Sequence, residues 1–288
     1  MADQVLAPEE LLLRASQLVP LLKERAARTE ELRRIPDDTV QDLLSSKLHL
    51  IGVPQRFGGL DVDYGLMLEV GALLGTGCAS TSWCYSIWSA HSWLVGYWPL
   101  EAQEEVFGNS RDVLTSSSLN AGKSTMEKTA SGFRLSGRWE FSSGCDAAQW
   151  VMVGTDVPEG RVWVLVPRSD YEISDTWFVS GLKGTGSKDI VIKDLFVPQH
   201  RILDRDRGGD EERNGWEIHQ QDRYRLPLLV LLGWDLVAPM IGIAQGMIEE
   251  FTAGLTGTSG PGRTADSDAV QLRLSQASGE LDAARALM

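Results

Sequence analysis

The chain has few cysteines, few histidines and too little positive charge, and each scarcity narrows what it can do. Three cysteines in 288 residues, Cys78, Cys84 and Cys145, are odd in number and not spaced as metal ligands. Neither a disulfide framework nor a metal site is therefore expected, and a reducing, cytoplasmic setting is. Lysine and arginine total 27 against 40 acidic residues, a net charge of −13. Nucleic acid and anionic membrane surfaces select basic patches, so neither is an expected partner. The opening MADQVLAPEE has no basic segment and no apolar run, which predicts no secretory signal. No apolar run is expected to reach the roughly 18 residues that a bilayer span needs. Dinucleotide and P-loop fingerprints are missing too: GLKGTGSKD is glycine-rich but precedes a strand and opens no helix.

What is present is an ordinary globular composition, 43% hydrophobic and 23% charged, long enough to bury a sizeable core. Ten tryptophans stand out. They serve core packing, or they wall a pocket for a flat aromatic molecule. From Ala7 to about Arg34, Leu11, Ala15, Leu18, Leu22 and Ala26 recur at helical spacing. Pro36 and the acidic residues after it open a second helix. Tyr64–Leu74, Ser80–Trp98 and LEAQEEVFG continue the helical pattern, so residues 1–108 read as a helical domain. The period then switches to two. DVLTSSS, TMEKTA, GFRLSGRWEFSS, WVMVGTDV, RVWVLVPR and KDIVIKDLFVP predict strands between turn residues, a β barrel or sandwich within residues 109–215. DRDRGGDEERNG reads as a polar loop. Helical periodicity returns from Leu226 to Leu255 and again from Ser267, giving a C-terminal helical domain, 216–288, that lacks the helices needed to complete a bundle.

The segment GFRLSGRWEFSSGCDAAQW departs from strand alternation after Phe141, where two serines, a glycine and a cysteine interrupt the run. One reading is a β-bulge whose serines satisfy backbone groups. The other is a wall of a ligand site.

The order of helices, a β unit containing SGRWEFSSG, then GLKGTGSKDIVIKDLFVPQHR, then helices resembles the acyl-CoA dehydrogenase fold, an α+β architecture. Within it, GRWEFSSGCDAAQW is similar to the flavin-dependent monooxygenases, the oxygenase components of two-component aromatic hydroxylases. That resemblance implies reduced FMN or FAD from a separate reductase, O2, an aromatic substrate hydroxylated through a flavin hydroperoxide, and a homotetramer. It implies that Ser143 lies at the reactive edge of the flavin and Phe141 close to its plane. Ser118, in LTSSSLN, and Trp83 become further flavin contacts. His91, in WCYSIWSAHSW, becomes the group that accepts or polarises the substrate's hydroxyl proton. Arg225, beside Pro227, is expected at the flavin's electron-rich edge and Arg263 at its phosphate. His49, His200 and His219 match no site position and are expected to be structural or on the surface. Three alternatives stay open. They are an acyl-CoA dehydrogenase, for which the late apolar run offers only Asp235 as a base, an N- or S-oxygenase, and a non-catalytic scaffold.

Overall fold

The computed structural model describes residues 6–60, 62–204, 210–256 and 264–288. Five helices come first: α1 (Pro8–Leu32), α2 (Asp37–Ser45), α3 (Tyr64–Gly75), α4 (Ala79–Val95) and α5 (Leu100–Phe107). Pro8 at the first turn and the acidic Glu9 and Glu10 suit the start of α1, and Arg33, in the left-handed region, ends it. Asp63 caps α3 by accepting from the Gly65 amide at 2.7 Å.

Eight strands follow: β1 (Thr115–Ser118), β2 (Lys123–Lys128), β3 (Phe133–Ser142), β4 (Trp150–Val157), β5 (Gly160–Pro167), β6 (Glu172–Ser174), β7 (Lys188–Val197) and β8 (Ile202–Asp204). They form two four-stranded sheets, ordered β1-β4-β5-β8 and β2-β3-β7-β6. Alternate residues of both sheets meet in one core: Val151, Val153, Val162 and Val164 face Leu135, Trp139, Ile190 and Ile192. The other face of the first sheet, through Trp150, Met152, Trp163 and Leu165, joins the helical core. β1 lies on α4, and this contact positions the site.

Helices α6 (Asp210–His219), α7 (Leu228–Thr256) and α8 (Asp268–Leu287) complete the described chain. A helix thus occupies part of the stretch expected to be a polar loop. α7 also corrects the expectation that no run is long and apolar enough for a bilayer. Its Leu228–Leu255 stretch passes by length and composition, with a mean hydropathy of 1.8. Asp235 interrupts the apolar letters but not the helix. α7 packs on α3 and α4, and 33% of its most apolar stretch is buried. The approach to α3 is close because glycines face each other: a Cβ on Gly242 would sit 1.9 Å from the Ala72 carbonyl oxygen. This crossing carries Asp235 to Tyr64, whose hydroxyl donates to Asp235 Oδ2 at 2.5 Å.

Candidate active site

Spacing on α4 puts Trp83, Ile87, Ala90 and His91 on one stripe, and the same rule on α7 aligns Leu232, Asp235 and Leu236. Between these stripes and the ends of β1 and β3 lies a cavity of about 320 Å³. Its β wall is Ser117, Ser118, Leu119 and Asn120 from β1 and the residues after it, with Glu140, Phe141 and Ser143 from β3 and its turn. Of the six residues expected at the flavin or the substrate and described in the structure, five line this one cavity: His91, Trp83, Ser118, Phe141 and Ser143.

The interrupted strand is a bulge whose residues also line the cavity, but its serines bond side chains and not the backbone groups expected of them. Pairing of β3 with β7 slips between Trp139 and Ser142, and Phe141 sits inside that bulge at φ 65°. A non-glycine residue there stores on the order of 1–3 kcal/mol. The bulge turns Phe141 outward to the cavity mouth, 65% exposed, while Ser143 is buried. The next residue must be glycine twice over: Gly144 has φ 70°, and a Cβ on it would lie 2.6 Å from Trp88 Nε1. The serines bond side chains, Ser142 Oγ to Ser116 Oγ at 3.2 Å and Ser143 Oγ to Ser187 Oγ at 2.7 Å.

Counting protons gives the hydroxyl chain a direction. Thr185 Oγ1 donates to the Leu182 carbonyl oxygen at 2.9 Å, so across its 2.7 Å contact it accepts from Ser187. Ser187 must then accept from Ser143. Trp83 Nε1 donates to Ser143 Oγ at 3.1 Å. One lone pair of Ser143 Oγ remains for a donor in the cavity.

The same count fixes His91. Its Nδ1 faces the Thr115 carbonyl oxygen at 3.2 Å, which can only accept, so Nδ1 carries the proton. Nε2, 3.1 Å from Ser117 Oγ, is the acceptor, and Ser117 donates to it. Burial pushes the imidazole down to about 4, against a smaller upward effect of the Thr115 carbonyl, so the ring is neutral near pH 7. Ser117 is the residue the sequence reading missed. Its neighbour Ser118 lines the cavity as well, but spends its proton on the Glu140 carbonyl oxygen at 2.7 Å.

Arg225 is not among the lining residues. Its guanidinium lies 3.9 Å over the Trp216 ring and 3.6 Å from Asp222, with the side chain 61% exposed. Arg263 lies outside the described residues. The histidines set aside by sequence are held by structural partners. His49 bonds Asp112 at 2.9 Å, His200 bonds Glu105 at 3.0 Å, and His219 bonds Gln103 at 2.9 Å. Among the described residues no cluster of His, Cys, Asp or Glu could hold a metal ion.

Comparison with known proteins decides the family. No family model matches the chain. The oxygenase subunit HsaA of a flavin-dependent monooxygenase from Rhodococcus jostii (strain RHA1) is 35% identical over 280 residues, covering 94% of this chain and 73% of HsaA. The oxygenase component of an FADH2-dependent resorcinol hydroxylase from Rhizobium sp. (strain MTP-10005) is 34% identical, with coverages of 94% and 69%. The crystal structure of the HsaA monooxygenase from M. tuberculosis superposes with a TM-score of 0.90 at 34% identity, covering 96% of this chain and 73% of that one. This chain is an oxygenase subunit of the flavin-dependent monooxygenase family.

The cavity of this monooxygenase fits the ring system of its family's cofactor. At about 320 Å³ it stands at the small end of ligand pockets, room for ring-sized groups but not for a whole dinucleotide. Trp83 and Phe141 supply flat apolar walls. The free lone pair on Ser143 matches the ring N–H that a flavin carries only when reduced.

Proposed function

We propose that this oxygenase inserts one atom of dioxygen into a phenolic or related aromatic compound, using reduced FMN or FAD delivered by a separate reductase. The observation that carries the proposal is the shared cavity, whose wall brings Trp83, Phe141 and Ser143 together with His91 and Ser117. A bound reduced flavin supplies two-electron activation of dioxygen. Trp83, Ser118, Phe141 and Ser143 would hold and shield it, with the remaining Ser143 Oγ lone pair as the acceptor offered to a ring N–H. A phenolic hydroxyl donates to Ser117 Oγ, whose own proton already points at His91 Nε2. Complete proton transfer to an imidazole titrating near 4 is uphill from a phenol titrating near ~10. His91 therefore polarises the O–H through Ser117 and makes the ring more electron-rich, without becoming a resident imidazolium. Apolar Ile87, Leu119, Leu232 and Leu236 keep water away.

Self-association as a homotetramer, a cytoplasmic location and a division at residues 108/109 and 215/216 belong to the same proposal. Exposed apolar side chains on α7, including Met247 and Phe251, support the first. Thioester oxidation is the competing function, because Asp235 is a carboxyl on the cavity wall. Bleaching of the flavin-loaded protein by an acyl-CoA without oxygen would favour it.

The test is a single turnover of the protein with chemically reduced FMN or FAD, a phenol and isotopically labelled dioxygen. Labelled hydroxylated product is expected. His91→Asn should lower product per flavin oxidised by at least about tenfold while oxygen is still consumed. Free hydrogen peroxide as the sole oxygen product of the unaltered protein would overturn the proposal.

A further inference from the structure

Asp235 is the part of the cavity that the steps above leave unused. It is 2% exposed, it sits one turn from Leu232 and beside Leu236 on α7, and it shares the cavity with His91 and Ser117. Oδ2 is taken by the Tyr64 hydroxyl at 2.5 Å. Oδ1 has no hydrogen-bond partner, and among the described residues it is the one such buried side-chain atom belonging to a cavity-lining residue. A buried carboxyl oxygen left unpaired is costly to the fold, and a ligand group reaching it would recover that cost.

We propose that Asp235 is a substrate-positioning and specificity-determining residue, which binds the second polar group, best a hydroxyl, of an uncharged aromatic substrate whose first hydroxyl is held by Ser117 and His91. This deepens the proposed function and rests on it. The ionisable side chains on the wall are His91, Glu140 and Asp235, with no lysine or arginine among the lining residues, so an aromatic carboxylate finds no counter-charge there. The choice of a hydroxyl follows from proton counting. Since Tyr64 donates to Oδ2, a proton on the carboxyl sits on Oδ1 and makes it a donor; without that proton, Oδ1 is an acceptor. A hydroxyl answers either state, whereas a ketone answers only the first.

Burial raises this carboxyl to about 7, against a smaller lowering by the Tyr64 hydrogen bond, so both states are populated near neutral pH. The ionisable groups around it are Tyr64 from α3, Tyr85 and His91 from α4, Glu140 from β3, and Tyr97 and Arg223 beyond Tyr64. Burial holds both Tyr64 and Tyr85 above the ordinary tyrosine range, and His91 titrates near 4, so none of these three changes charge between pH 5.5 and 8.

The experiment titrates phenol, the three benzenediols and 3-hydroxyacetophenone into the protein with anaerobic reduced flavin, following intrinsic tryptophan fluorescence. A site built to bond a hydroxyl discriminates strongly against analogues lacking it. At least one diol is expected to bind tenfold or more tightly than phenol. Asp235→Leu should bring that ratio within about twofold of unity, with the Kd of phenol itself changing less than about threefold. Asp235→Asn, which keeps an acceptor for Tyr64, should retain the diol preference. In the unaltered protein the affinity for the ketone should fall about tenfold from pH 5.5 to 8 while diol affinity holds, and in Asp235→Asn both should be flat. The Asn variant and its pH series decide the matter even if Asp235→Leu does not fold. No diol preference in the unaltered protein, or a preference that survives Asp235→Leu, would overturn the inference. An Asp235-dependent preference in a protein that gives no labelled product would sustain it and overturn only the hydroxylase proposal. Productive turnover with no dependence on Asp235 would do the reverse.

Discussion

Ser143 ends a line of hydroxyls in which each proton has a defined recipient, running through Ser187 and Thr185 to the Leu182 carbonyl. Ser143→Ala would take away the cavity's acceptor and leave Trp83 Nε1 without its partner. Reduced-flavin affinity should fall about five- to twentyfold, with thermal unfolding little changed, as an anaerobic titration and a melt would record. Asp235 makes a different expectation. Its folded pKa, near 7, stands above the ~3.9 of an unfolded aspartate, so the native state holds the proton more tightly. The resulting stability is fully present below about pH 4 and is lost as pH rises through 7. Asp235→Asn should abolish that loss, so that the variant gains on the parent across this window in denaturant titrations. At this scale the sequence was legible through the family it resembles. His91 and Ser143 came from that resemblance, since a lone histidine among aromatics and small hydroxyls at a strand break fit ordinary packing equally well; both line the cavity. Ser117 was not legible, because three consecutive serines cannot be ranked until strand facing is known. Arg225 was assigned by resemblance, and its stacking on Trp216 depends on a turn that no local pattern encodes.

Helices and strands of ordinary length were readable from their periods, and most lie within a few residues of their expected ends. The exceptions have physical causes. β6 and β8 are three residues each, too short to display alternation, and exist because they complete the edges of sheets already formed. α6 carries Asn214 and Gly215 mid-helix, residues whose intrinsic preference is against a helix. The packing of α7 on α3 was also hidden, since a glycine in a helix reads as a weakness until its neighbour is known. Gly242→Val tests this. With no space for a Cβ against Ala72, the helices must separate, at a cost of at least about 1–3 kcal/mol. The melting temperature should drop, and as the opened seam admits water to Asp235 its titration should return toward the ordinary range, because burial is what raises it.

For the molecule as a whole, α7 carries Leu229, Val230, Met240, Met247 and Phe251, each more than half exposed. Isolated apolar side chains on a surface are common, but five on one helix make a patch that water tolerates poorly. Light scattering should find the protein associated, and Met247→Glu with Phe251→Glu should shift it to smaller species without unfolding it. A monomeric parent would count against the proposed assembly. The cavity has another property at this scale. Its walls come from three regions of the chain, α4, the β1 and β3 ends, and α7; hydrogen bonds such as Trp83–Ser143 and Ser117–His91 join the first two, and α7 packs on α4. A guest seated there would touch all three together and so act as a shared fastener. Amide exchange should slow in α4, in the Phe141 bulge and in the first turns of α7 together when a phenol and reduced flavin are added, one event read out in three places.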